Sequence, residues 1–423
     1  MTAEAEPKFR RIRRSASQAN LESRHQGREG RMLENALRTP PQGREGYSLT
    51  HGLHPYPARF HPNLPRTILK WLAQEHGDPP RLCDPFMGGG TLLVESLCRG
   101  WEVTGNDINP IAALVARERC RSRLPKHAVM VWNALEFLQN EVERRRRDKI
   151  RVEHPHLSML KTHYQPHIFA EMLQWSDCLE QLYPGPDRDT LRFVFSSLVG
   201  KFSRRIEEGN DGEKKEKGNF PRGAFSLWMQ RKTREVLERQ QDLSRRLPDP
   251  KMRPQIWQQD VRELSLPQGC DPFDCLITSP PYPGTYDYLD HHRLRLRWLH
   301  FSIQELALKE IGTRRQHSAA QWKEVFRTCM LKMRQVTVSG GHCFLVLGDW
   351  VDQGHKTDAL EYVEKYADSV GWSVEGAASV RRPVYEEQLK EDFGESGRWE
   401  HLIWLRNQVQ ARPPSSIPTE EEE

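Results

Sequence analysis

A chain of 423 residues exceeds one small core, and at about 150 residues per domain it predicts one large domain carrying an elaboration. With 37% hydrophobic and 29% charged residues, a mean hydropathy of −0.76 and no long apolar run, it is expected to lack a membrane span and a secretory signal and to be soluble and cytoplasmic. The net charge of +5 is mild, and the eight cysteines show neither Cys-x-x-Cys nor zinc spacing, so reduced thiols and no metal site are expected.

In chain order, residues 1–46 are rich in Arg, Gln, Glu, Ser and Gly without a sustained apolar period, and read as a disordered basic arm. Apolar residues at helical spacing predict a helix over 65–74. A short strand over 81–86 breaks into Met87-Gly88-Gly89-Gly90-Thr91, a helix follows to Gly100, and a second strand from Trp101 ends at Asn106-Asp107. This succession opens a Rossmann-like α/β unit. Residues 114–251 then read as a charged helical insertion, with one strand-like stretch at 128–132 and a mobile glycine-bearing loop at 207–219. Strand patterns resume at 255–260, 273–278, 340–349, 372–380 and 401–406. The expected domain is therefore 47–113 plus 252–411, with a disordered tail at 412–423.

Basic runs at 8–14, 144–147, 231–239 and 293–297 are interleaved with tryptophan and tyrosine, which suits a polyanion as well as a solvated helix face. The turn Asp84-Pro-Phe-Met-Gly-Gly-Gly-Thr91 lets a ligand approach the backbone closely, yet it matches neither Gly-x-Gly-x-x-Gly nor a P-loop. Asp107, at the end of the next strand, is placed to accept hydrogen bonds from ribose hydroxyls. Thr278-Ser279-Pro280-Pro281-Tyr282 follows an apolar strand. Its prolines hold an extended turn that offers the Ser279 hydroxyl, carbonyl acceptors and the flat Tyr282 ring, a set suited to an exocyclic amine on a planar base.

Together these two constellations resemble those of the amino-methylating DNA methyltransferases, over roughly residues 47–113 and 252–406. The resemblance implies a class I methyltransferase sheet and S-adenosylmethionine as cofactor, held by Phe60, Asp84, Phe86, Gly88, Gly90, Thr91, Asp107 and Asp260. Phe60, from the segment HGLHPYPARFHP (51–62), would line the methionine part, and Asp260 would lie near the adenine amino group. Asn133, after the strand-like stretch 128–132, competes with Asp260 for that position. Ser279, Pro280, Pro281 and Tyr282 would be catalytic.

An aromatic amine is a poor nucleophile because its lone pair is delocalised, so Ser279 Oγ and the Pro280 carbonyl would accept its N–H hydrogens and localise the pair. Tyr282 would stack on the flipped base, with residues 286–292 available to line the same pocket. Neither a metal nor a covalent intermediate is required, and no Pro-Cys dipeptide supplies the nucleophile that carbon-5 methylation needs. The implied partner is duplex DNA, contacted by the insertion as a target-recognition region. A restriction–modification role would add a cognate restriction endonuclease and a prokaryotic, nucleoid-associated setting. Ser before Pro-Pro-Tyr favours N4 of cytosine by resemblance, with N6 of adenine and an RNA substrate as the alternatives.

Overall fold

The computed structural model describes residues 21–23, 27–38, 48–57, 59–204, 219–283, 288–311, 319–352, 355–382, 390–391, 393–394 and 397–408. The chain begins with β1 (Leu21–Ser23), α1 (Gly27–Leu37) and α2 (Asn63–Glu75), then β2 (Leu82–Asp84), α3 (Thr91–Leu97), β3 (Val103–Asn106) and α4 (Pro110–Arg119). Four long helices follow: α5 (Pro125–Arg147), α6 (Pro166–Gln181), α7 (Pro186–Phe202) and α8 (Ala224–Arg246). The α/β alternation resumes with β4 (Gln255–Trp257), β5 (Phe273–Thr278), α9 (Tyr288–Trp298), α10 (Ile303–Lys309), α11 (Ala319–Gln335) and β6 (Thr337–Gly348). A small hairpin of β7 (Trp350–Asp352) and β8 (His355–Thr357) precedes α12 (Ala359–Tyr366), β9 (Trp372–Arg382) and β10 (Arg398–Asn407).

The main sheet has the order β1-β9-β10-β6-β5-β2-β3-β4. Strands β4, β3, β2, β5 and β6 run parallel, and β10 inserts antiparallel between β6 and β9. This is the Rossmann-like α/β sheet expected from the sequence. The strand order reverses between β2 and β5, so a crevice opens at their carboxyl ends, where such sheets bind ligands. The glycine turn leaves β2 there, and Ser279 leaves β5.

One sheet face is covered by α2 and α3, whose buried Ile68, Leu69, Trp71, Leu92 and Leu93 join Phe344 and Trp404 in one apolar cluster. The other packs Trp322, Phe326 and Met333 of α11 against Leu276, Leu345 and Ile403. A third cluster lies among α5 to α9, around Trp175, Phe195, Phe225 and Trp298.

Three expectations need correction. The stretch 128–132 lies in α5, not in a strand. Pro125 at the first turn sets the helical φ, and Ala128, Val131, Leu135, Leu138 and Val142 recur at helical spacing on the buried face. The apolar run looked strand-like because Val129 and Met130 are exposed on the outer face of the same helix. Asn133 is exposed midway along α5, which removes it from the site. The arm is not wholly unstructured either: β1 pairs with β9, and α1 buries Met32, Leu33, Ala36 and Leu37 against the sheet layer. The remainder of the arm and residues 205–218, 284–287 and 409–423 lie outside the described residues, and with them all but Asn219 of the loop expected at 207–219 and the whole of the tail expected at 412–423. The expected boundary at 113/114 falls within α4, whose Ala113 and Ala116 pack with the sheet while Leu114 and Val115 pack with the helical layer.

Candidate active site

The ends of β2, β3 and β4 are locked together by the buried amide of Asn106. Its Nδ2 donates to the carbonyls of Pro85 (3.2 Å) and Gln259 (3.0 Å), and its Oδ1 accepts the Gln259 N–H at 2.8 Å. Strand β5 joins through Thr278, whose hydroxyl donates to Asp84 Oδ1 at 2.6 Å. The first and last predicted motifs are therefore hydrogen-bonded to each other inside the sheet. Burial pushes the Asp84 carboxyl up to about 7, with the Thr278 and Phe86 bonds pulling the other way.

Gly88 (φ 47°) and Gly90 (φ 74°) are left-handed. A Cβ at Gly90 would come 2.9 Å from Ala116 Cβ, and one at Gly88 would come 3.2 Å from the Tyr56 ring. The turn is thus pressed between α4 and residues 54–56. A residue that sequence reasoning missed holds it there: the fully buried Arg119 donates to the carbonyls of Gly89 (2.8 Å) and His54 (2.7 Å). Burial, with Arg59 nearby, lowers its pKa to about 9. Its signal is faint, since it is one of many arginines in a charged helix.

Asp107 accepts the N–H of Gly88 at 3.0 Å through one oxygen and that of Asn109 at 2.8 Å through the other. These bonds fix the carboxylate at the mouth of a cleft of about 780 Å³, lined by Tyr56, Phe86, Gly88, Asp107, Asp260, Ser279 and Tyr288 among others. Burial raises Asp107 to about 6 even though both N–H groups favour its charged form. Asp260 caps a short 3₁₀ turn and is gripped by Arg262, whose Nε lies 2.9 and 3.0 Å from the two carboxylate oxygens. Burial opposes its ionisation, and Arg262 more than offsets that.

A second cleft, of about 810 Å³, lies beside the first and shares Ser279 and Tyr288 with it. Its walls are Ala36 and Leu37 of α1, Arg59, Phe60 and His61, and Tyr282, Val346, Arg382, Arg398 and Glu400. Phe60, read from the sequence as a cofactor residue, lies here, and Tyr56 takes the aromatic position beside Gly88. Tyr282 is 6% exposed, and Arg398 lies over its ring at 5.2 Å. Ser279 Oγ donates to Tyr282 Oη at 3.4 Å, and Tyr282 donates onward to Glu400. Pro280 is buried, and the Pro281 carbonyl accepts the Trp322 indole N–H, which holds the turn against α11.

Two observations test whether S-adenosylmethionine fits the first cleft. The acid at the end of β3 is the acceptor a ribose needs beside a turn that admits close backbone approach. Beside that turn, the buried Asp84 Oδ2 and Thr91 Oγ1 have no hydrogen-bond partner among the described residues. Neither residue lines the cleft, so the fit rests on the first observation. The residues fit S-adenosylmethionine, and the fold is a Rossmann-like α/β domain with a cleft at the switch point of its sheet.

The chain is 25% identical over 272 residues to the Type II methyltransferase M.MvaI of Kocuria varians, covering 61% of this chain and 59% of that protein. It is 26% identical over 287 residues to the Type II methyltransferase M.BsoBI of Geobacillus stearothermophilus, covering 60% and 53% respectively. It thus spans a little over half the length of these curated relatives. Among solved structures, the rRNA methyltransferase aviRa of Streptomyces viridochromogenes aligns over 88% of this chain and 96% of its own, at 12% identity and a TM-score of 0.34. No family model matches.

Proposed function

We propose that the chain is a DNA methyltransferase that acts on an exocyclic base amine, N4 of cytosine, after the target nucleotide swings out of the duplex. The observation that carries this reading is the shared wall of the two clefts: Ser279 and Tyr288 border both the cofactor cleft and its neighbour. A base seated in the second cleft with its amine at Ser279 faces the cofactor across that wall. The cofactor supplies an activated methyl group when bound, so the chain's own task is to orient the amine and accept its hydrogens. Ser279 Oγ and the Pro280 carbonyl are the proposed acceptors. Phe60, Tyr282 and Tyr288 offer the aromatic surface for a flat ring. The Type II methyltransferase relatives support DNA as the substrate, and the choice of cytosine rests on Ser before Pro-Pro-Tyr. Digestion of treated duplex DNA to nucleosides, followed by mass spectrometry, is expected to give N4-methylcytosine. N6-methyladenine as the sole product would overturn the choice of base, and methylation of folded RNA alone would overturn DNA as substrate.

Within the insertion, the expected phosphate track is better drawn from the neighbourhood of the run 231–239 than from 144–147. Arg144 pairs with Glu141 and Asp148, and Arg145 with Glu141 and Asp177, so half of the run 144–147 is already neutralised. A better polyanion seat is the cleft between residues 52–59 and helices α7 and α8. It is lined by Arg59, Lys201 and Lys232 with Trp228 and one acid, Glu235, which pairs with Lys232 at 2.9 Å and leaves the basic groups in excess. Lys201 Nζ lies 3.5 Å from the Trp228 ring centroid. We expect Lys201→Gln with Lys232→Gln to weaken duplex binding and to flatten its salt dependence by about one to two units of log-log slope, sparing cofactor affinity. An unchanged slope would assign the cleft no role in DNA binding.

A further inference from the structure

Resting on that reading of the second cleft, we infer that Glu400 is the terminal proton acceptor of the methyl transfer, reached from the target amine through Ser279 and Tyr282. An amine that has gained a methyl group carries a positive charge and must lose a proton. Ser279 can accept a hydrogen bond from that amine, but a serine hydroxyl holds a proton only by giving up its own. The structure supplies the onward route. Ser279 Oγ donates to Tyr282 Oη at 3.4 Å, and Tyr282 Oη donates to Glu400 Oε1 at 3.3 Å. Each hydroxyl is paired with the next group on the way to the carboxylate, and links of this length shorten when a substrate fills the site.

The balance is as follows. The amine's electron pair forms the new N–C bond while the pair of the broken S–C bond stays with sulfur. The amine proton passes to Ser279 Oγ, the serine proton to Tyr282 Oη, and the tyrosine proton to Glu400 Oε1. The serine and the tyrosine end neutral and unchanged, and the carboxylate ends as a carboxylic acid. Its side chain is 21% exposed at the second cleft, so the proton can leave to water.

Other groups prepare Glu400 for this task. The second oxygen accepts Arg382 Nε at 2.7 Å, which fixes the carboxylate facing Tyr282. Arg382 also donates to the Leu37 carbonyl at 3.1 Å, so α1, from the segment read as an arm, steadies the relay. The charged and titratable groups around Glu400 are Arg382 from β9, Arg398 from β10, Tyr282 after β5, Arg59 and His61 from the segment before α2, and Tyr288 from α9. Burial and the nearby Glu400 charge hold the Tyr282 phenol well above its ordinary pKa, so it passes a proton without resting as a phenolate.

Glu400→Gln and Tyr282→Phe test the relay, because each keeps the shape and removes one link. Each is expected to lower kcat at neutral pH by tenfold or more, with KM for duplex and calorimetric cofactor affinity within twofold of the parent. The double variant should be no slower than the slower single one. In the cofactor-free protein, Tyr282→Phe should shift the infrared band that Glu400→Gln identifies as the Glu400 carboxylate. Parent-like kcat in either single variant, multiplying losses in the double variant, or a loss confined to KM would overturn the relay, as would an unmoved carboxylate band. A parent protein that methylates no duplex amine would overturn the proposed function instead, while the infrared arm still decides the Tyr282–Glu400 contact.

Discussion

Ser279→Ala lowers kcat by about 100-fold or more, while cofactor affinity stays within about twofold of the parent. The separation follows from position. Ser279 borders the cofactor cleft at the edge it shares with the second cleft, whereas the ribose acceptor Asp107 and the glycine turn belong to other strand ends. Removing Oγ deletes an acceptor for the amine and the first link toward Glu400, at a residue whose side chain makes one long hydrogen bond, to Tyr282, among the described residues. The fold is held nearby by Thr278, whose bond to Asp84 the substitution leaves intact. A loss of 100-fold corresponds to about 2.7 kcal/mol of transition-state stabilisation. Single-turnover kinetics beside calorimetric cofactor binding reads both quantities, and a variant that turns over at the parent rate would remove Ser279 from the chemistry.

The parts of the site that sequence revealed are those where backbone geometry demands a residue type. Gly88 and Gly90 are left-handed in a turn pressed against α4 and Tyr56, so the triple glycine was legible as a close-approach turn. Asp107 closes a strand, and Pro-Pro follows one, which places both at the carboxyl edge of the sheet from sequence alone. What stayed hidden depends on contacts between distant segments. Arg119 acts through the carbonyls of Gly89 and His54, and nothing local distinguishes it from the arginines beside it. Glu400 meets Tyr282 across 118 residues only because β10 inserts between β6 and β9. The misread stretch 128–132 and the segment holding α1 share one cause. Short apolar runs are ambiguous alone, and tertiary packing of one face decides their conformation.

Asp107→Ala weakens S-adenosylmethionine binding by about 100-fold, the order expected when charge-assisted hydrogen bonds to two ribose hydroxyls are lost. The carboxylate has a second function in the free protein, since its oxygens tie Gly88 on the turn to Asn109 at the cap of α4. Alanine removes both functions, so Asp107→Asn is the sharper probe: an amide keeps the volume and loses the charge. Burial raises the Asp107 pKa to about 6, and only the ionised form offers a full acceptor pair to the ribose. Cofactor affinity in the parent is therefore constant well above pH 6 and falls as pH drops through it, with protons released on binding near that pH. Stability carries the opposite sign. A carboxyl whose folded pKa lies above its unfolded value favours the native state at low pH, and that contribution is lost as pH rises through about 6. Asp107→Asn should consequently bind cofactor poorly at neutral pH without unfolding more readily there, and its affinity should lack the step near pH 6. Calorimetry in buffers of different ionisation enthalpy measures the proton release directly. Heats independent of buffer at pH 6, or an asparagine variant with parent affinity, would take Asp107 out of the ribose contact and leave it as a clamp on the glycine turn.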